Sequence, residues 1–94
     1  MAGAGSSHTP GPDELGVLVG AGGGEPERLL MLGKPAGGRV HVREWSTHNW
    51  SGLPDEHDAA VADVMARFQR AYDARRRMSA GLGQIRAWLD GRPI

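Results

Sequence analysis

The fold is decided by the stretch RLLMLGKPAGGRVHVREW, residues 28–45. It begins with the apolar run Leu29–Leu32, which is typical of a strand covered on both faces or of a strand at a dimer contact. It ends with the alternating segment Arg39–Trp45, in which Val40 and Val42 share one face. The glycines between the two segments predict a tight connection, so we expect two paired antiparallel strands.

A third strand is predicted upstream of this pair. Glu14–Gly20 alternates, so that three aliphatic side chains share one face: Leu15, Val17 and Val19. Gly22–Gly24 and Pro26 then end the segment. A dinucleotide-binding loop would need a third glycine where Glu25 stands, so these residues predict a hairpin loop.

The periodicity becomes helical after residue 53. Pro54 and Asp55 form a helix start signal, with Asp55 or a neighbour as the cap. Apolar residues then recur at helical spacing, at Val61, Val64, Met65, Phe68, Ala71 and Tyr72. Acidic residues precede this stripe and arginines follow it, which is the order that the helix macrodipole favours. The pattern predicts one long helix.

A second, shorter helix is predicted after Ser79, which can cap it. Its apolar face consists of Leu82, Ile85, Trp88 and Leu89. Gly91 and Pro93 are stop signals. The predicted fold class is therefore α+β, a three-stranded antiparallel meander packed against one long and one short C-terminal helix in two layers. Residues 13–94 should form this single domain, and the glycine-, serine- and proline-rich residues 1–12 should be a disordered tail.

Composition excludes several classes of protein. The 94 residues include no cysteine, which rules out disulfides, thiolate zinc sites and thiol catalysis. Eleven basic residues balance eleven acidic ones, so net charge alone does not indicate nucleic-acid binding. No apolar run reaches the roughly 20 residues that span a membrane, and the N-terminus lacks a signal-peptide pattern. We expect a cytoplasmic protein, and the abundance of arginine, alanine and glycine is typical of GC-rich bacterial or phage genomes.

No catalytic residue, metal site or cofactor is predicted. His41, Glu44 and His48 are the closest group of metal-ligand types, but their spacing matches no known signature. Ser46 and His48 are near in sequence, but a nucleophile and its base meet through the fold and not through adjacency.

Residues 39–50 are the best candidate for a binding site. Within this segment lie Arg39, His41, Arg43, Trp45, His48 and Trp50. Arginine and tryptophan dominate binding hot spots because they bury much area at low entropic cost. The simpler alternative is that the tryptophans close a thin core while the arginines face solvent. Further along, Arg67, Arg70 and Arg77 share a helix face, either as solvated charge or as phosphate contacts.

The sequence is compatible with three functions, of which it favours the first. The first is a small non-catalytic protein-binding module, such as an inhibitor, immunity or accessory factor, whose protein partner the sequence does not identify. The second is a nucleic-acid-binding module that lays its sheet face in a groove and reads it with Arg39, Arg43 and Trp45. The third is a small enzyme or ligand-binding protein with a pocket formed across a homodimer, for which Leu29–Leu32 offers a contact surface.

Overall fold

The structure is a computed structural model that describes residues 8–91. Its strands are β1 (Leu15–Val19), β2 (Arg28–Leu32), β3 (Arg39–Ser46) and β4 (Asp55–Ala60). Its helices are α1 (Val61–Asp73) and α2 (Leu82–Leu89). The four strands form one antiparallel sheet in the order β1-β2-β3-β4, and both helices pack on the same face of it.

Both predicted glycine-bearing hairpins are confirmed. Between β2 and β3, Ala36 and Arg39 exchange two backbone hydrogen bonds of 2.9 and 3.0 Å across Gly37 and Gly38. These two glycines have φ values of +58° and +76°. Two-residue hairpin turns of type I′ need positive φ at both central positions, and glycine adopts it without strain.

The main core lies between the sheet and the helices. Val17 lies opposite Leu30, and Leu32 lies opposite Val42, so strands β1, β2 and β3 present a continuous aliphatic surface. The helices cover it with Val64, Phe68, Ala71, Ile85 and Leu89. The alternation in β1 and β3 therefore points the predicted side chains toward the helices.

A second, smaller core lies on the helix-free face. It consists of Leu29, Met31 and Trp45, with Leu18 packed against them. The continuous apolar run in β2 is explained by these two cores, because its alternate residues are buried on opposite faces of the sheet within one chain.

The predicted number of strands is wrong, because the sheet has four strands instead of three. Asp55–Ala60, interpreted as the start of the long helix, is the edge strand β4 and pairs with β3 along its length. Four of its six residues are polar or charged, so it lacks the apolar alternation that identifies a strand. Pairing with the free edge of β3 and the cross-strand contacts of His41 stabilise the strand. Together they outweigh the local preference of Pro54 and Asp55 for a helix start.

The helix boundaries are corrected accordingly, and both helices are of modest length. Helix α1 begins at Val61, whose N–H donates to the Gly38 carbonyl at 2.9 Å, and it has 13 residues. Helix α2 begins after Gly81 and has eight residues. Ser79 does not cap it. Instead, the Ser79 hydroxyl accepts a hydrogen bond from the Leu18 N–H, and the Ser79 N–H donates to the Leu18 carbonyl. These two bonds extend the pairing at the β1 edge.

Parts of the sequence prediction fall beyond the described residues. The stop residue Pro93 lies outside them, as do residues 1–7 of the predicted tail, so disorder of residues 1–12 stays a prediction. Within residues 8–91, none of the helices is long and apolar enough to cross a membrane.

Candidate functional site

Four of the six predicted binding residues lie on β3 and share the helix-free face of the sheet. They are Arg39, His41, Arg43 and Trp45. Their exposure differs strongly along the strand: Arg39 and His41 are exposed, Arg43 is half-buried and Trp45 is fully buried. On this strand, therefore, Arg39 and His41 are the residues most accessible to a partner.

Arg43 is occupied by an internal carboxylate. Its Nε and Nη2 donate to the two carboxylate oxygens of Glu14, at 2.9 and 2.6 Å. The guanidinium also lies 5.3 Å from the ring centroid of Trp45. The hydrogen bonds from Arg43 hold the pKa of Glu14 below its usual value. This pair fixes the segment before β1 to the helix-free face.

His41 lies between two carboxylates of β4. Its Nε2 is 2.8 Å from Glu56 Oε1, and its Nδ1 is 2.9 Å from Asp58 Oδ1. Hydrogen bonding to Glu56 and then to Asp58 raises the pKa of His41, because both ring nitrogens can donate when the imidazole is protonated. Among residues 8–91, no group of three or more His, Asp or Glu side chains is arranged to hold a metal ion.

Trp45 supports the loop that follows its strand. Its indole Nε1 donates to the Gly52 carbonyl at 3.1 Å. The His8 ring lies 4.8 Å from Trp45 and stacks on Trp50 at 4.5 Å with an interplanar angle of 11°. The structure thus brings the two predicted tryptophans together through His8, a residue that sequence analysis assigned to the tail.

The β3–β4 loop, residues 47–54, is fixed by the side chain of Asn49. The Asn49 Oδ1 accepts from the Ser46 N–H at 2.7 Å, and its Nδ2 donates to the Leu53 carbonyl at 3.1 Å. The loop exposes 37% of Trp50 and 76% of Leu53. A loop with this many internal bonds presents its apolar residues in one geometry.

His48 contacts Ser46 at the start of the β3–β4 loop. The Ser46 Oγ is 3.1 Å from His48 Nδ1 and also contacts Asn49. Ser46 is only 3% exposed. The contact closes the start of the loop, and His48 itself is exposed.

Sequence analysis missed a buried carboxylate on the helix side of β3. Glu44 accepts hydrogen bonds from Arg67 at 3.0 and 2.9 Å and from Arg28 at 2.6 Å. Burial raises the pKa of Glu44, but the hydrogen bonds and charges of Arg67 and Arg28 outweigh it and leave the pKa below its usual value. The alternation of β3 puts Glu44 on the same face as Val40 and Val42, the face that packs on the helices. This pattern was the sequence signal that could have indicated a buried carboxylate.

Comparison of the chain with protein-family models, curated proteins and solved structures finds no match. The function must therefore be argued from the chemistry of the described surface.

Proposed function

We propose that this chain is a small non-catalytic protein-binding module, of inhibitor, immunity or accessory type, which contacts its partner through the β3–β4 loop and strand β4. The observation that supports this proposal most directly is the exposure of Trp50 and Leu53 on a loop held by internal hydrogen bonds. An ordered loop loses little conformational entropy on binding, and large apolar side chains in such a loop are effective anchors.

The charge beside the loop defines the chemistry of the partner. Strand β4 begins two residues after Leu53 and carries the exposed acids Asp55, Glu56 and Asp58. Within the described residues, His41 hydrogen-bonds to the carboxylates of Glu56 and Asp58, whereas Arg39 donates to the backbone carbonyl of Asp58. The fitting partner is a protein surface with an apolar pocket for Trp50 and Leu53 next to basic residues.

The edge position of β4 favours a different protein over a second copy of this chain. No described strand pairs with the outer side of β4. Two copies meeting along this edge would bring carboxylates together, which disfavours self-association. A basic partner segment would instead gain favourable charge contacts along the same edge.

The experiment is a quantitative pull-down from lysate of the native host with the immobilised chain, with and without nuclease. Trp50→Ala and Leu53→Ser are compared with Tyr72→Ser, which changes another exposed apolar residue, on α1. We expect a discrete nuclease-resistant protein whose measured affinity falls at least about tenfold in each loop variant and is unchanged in the Tyr72 variant.

The remaining outcomes contradict the proposal in different ways. Recovery of nuclease-sensitive material alone would support the nucleic-acid alternative. Equal partner binding by the loop variants and the wild type would show that the contact surface lies elsewhere. Absence of any discrete partner would remove the support for a binding module.

A further inference from the structure

A cleft with four arginines in its walls lies on the helix side of the molecule, between α1 and the β1–β2 hairpin. Its volume is about 320 Å³. Its charged lining residues are Glu25, Arg28, Arg67, Arg70 and Arg76. Arg67 and Arg70 are one helical turn apart on α1, whereas Arg28 and Arg76 come from other segments, so only the folded chain assembles all four.

Three of these arginines are held in place before any ligand arrives. Arg76 donates from Nε and Nη2 to two backbone carbonyls of the β1–β2 hairpin, at 2.8 and 2.9 Å, and its side chain is 9% exposed. Arg28 and Arg67 are anchored together on the buried carboxylate of Glu44. Preset guanidinium groups lose little freedom when they bind an anion.

The charges around the cleft do not balance. Arg70 is exposed and makes no side-chain hydrogen bond or ion pair within residues 8–91. The four arginines face two carboxylates, Glu44 and the exposed Glu25, which lies 3.2 Å from Arg76. Four arginines against these two carboxylates leave two positive charges without a counter-charge in this group of side chains.

We propose that this cleft binds a phosphate dianion, either inorganic phosphate or the phosphate group of a small phosphomonoester. A dianion matches the two uncompensated charges, and the planar forks of arginine suit phosphate oxygens. The volume lies at the lower end of the range for ligand pockets, which fits a small ligand. Arg70 supplies free donors, Arg28 adds its remaining N–H groups, and Glu25 swings away from the anion. The site is separate from the β3–β4 loop and does not depend on the function proposed for that loop.

The test is a titration of the ¹⁵N-labelled full chain with sodium phosphate and with O-phospho-L-serine, at constant ionic strength. The Nε–Hε signals of the arginines report binding at the cleft. We expect Arg70→Gln to weaken phosphate binding about tenfold, because it removes the free guanidinium. Glu25→Gln should tighten binding about threefold, because it removes a carboxylate from beside the anion.

Two matched variants separate a site from a general charge effect. Arg86→Gln on α2 and Glu27→Gln make the same charge changes at exposed positions outside the cleft lining, and we expect neither to change affinity more than about twofold. Tighter binding of phosphoserine would identify a phosphomonoester ligand, and equal or weaker binding would identify free phosphate. The proposal is overturned if the wild-type signals do not respond, if sodium acetate gives the same response, or if the controls match their cleft counterparts.

Discussion

Glu44 on β3 and Arg67 on α1 are joined by two parallel hydrogen bonds, of 3.0 and 2.9 Å, between both carboxylate oxygens and both terminal guanidinium nitrogens. Arg28 on β2 binds the same carboxylate at 2.6 Å. One buried acid thus connects two strands and a helix at a position where the strand pattern would accept an apolar residue. This arrangement stabilises the sheet–helix packing and sets the positions of two arginines in the cleft.

Glu44→Gln should lower the free energy of unfolding by about 2 kcal/mol, because a neutral amide loses the charge-assisted hydrogen bonds while its remaining polar atoms stay buried. Urea denaturation at pH 7 measures this difference. Glu27→Gln, at an exposed position, is the control and should change the free energy by less than about 0.5 kcal/mol. Equal stability of the Glu44 variant and the wild type would show that the ion pairs contribute nothing net.

The His41 contacts predict a loss of stability on the alkaline side. Because Glu56 and Asp58 raise the folded-state pKa of His41, its stabilising contribution is fully present below the unfolded-state value near 6.5. That contribution is lost as the pH rises through the folded-state pKa. The side chain is 48% exposed, so we expect solvent screening to keep the total below about 1 kcal/mol.

Urea denaturation between pH 5.5 and 8.5 tests this prediction for His41. The wild type should be more stable at the acidic end, and His41→Gln should reduce the difference. His57→Gln, which changes a neighbouring histidine on the opposite face of β4, is the matched control for replacing a histidine in this region. An unchanged pH profile in His41→Gln would contradict the assignment, as would an NMR titration that places the pKa of His41 at or below its ordinary value.

Two glycines of opposite backbone conformation should respond oppositely to alanine. Gly38 has φ +76° and open space around its Cα, so Gly38→Ala meets backbone strain alone and should cost about 1 kcal/mol. Gly83 lies within α2, also in open space and without positive φ. Gly83→Ala should therefore stabilise the chain by about 0.5 kcal/mol through helix propensity. Thermal unfolding of both variants checks the signs: a stabilising Gly38→Ala would refute the turn assignment, and a destabilising Gly83→Ala would contradict the helix-propensity argument for α2.

Local patterns predicted the parts of the fold that local interactions determine. The valines of β3 and the glycines at 37 and 38 specify one strand face and one turn, and both are observed. Strand β4 escaped prediction because Pro54 and Asp55 are equally compatible with a helix start and with a loop leading into a polar edge strand. Only pairing with β3, a non-local interaction, decides between these structures.

The candidate sites also divide into features set by local sequence and features set by non-local contacts. The sequence indicated Trp50 by its residue type, and alternation separated the two faces of β3 without showing how far the chain buries either of them. It could not indicate that Asn49 fixes the loop or that His8 stacks on Trp50, since both depend on how the chain returns on itself. The arginine cleft combines residues from the β1–β2 hairpin, β2, α1 and the segment after α1. Helical spacing relates Arg67 to Arg70, but no spacing rule relates these two to Arg28 and Arg76.

The Glu14–Arg43 pair should contribute measurably to stability, unlike the other ion pair of the same region. Its side chains are only 17% and 24% exposed and share two short hydrogen bonds, so a double-mutant cycle with Glu14→Gln and Arg43→Gln should give a coupling of about 1 kcal/mol. The Asp13–Lys34 pair is 3.7 Å apart and about 70% exposed on both sides. Its cycle, with Asp13→Asn and Lys34→Gln, should give a coupling near zero because solvent screens it. Similar couplings in the two cycles, measured by urea denaturation at the same salt concentration, would mean that Glu14 does not fix the chain segment before β1 to the sheet.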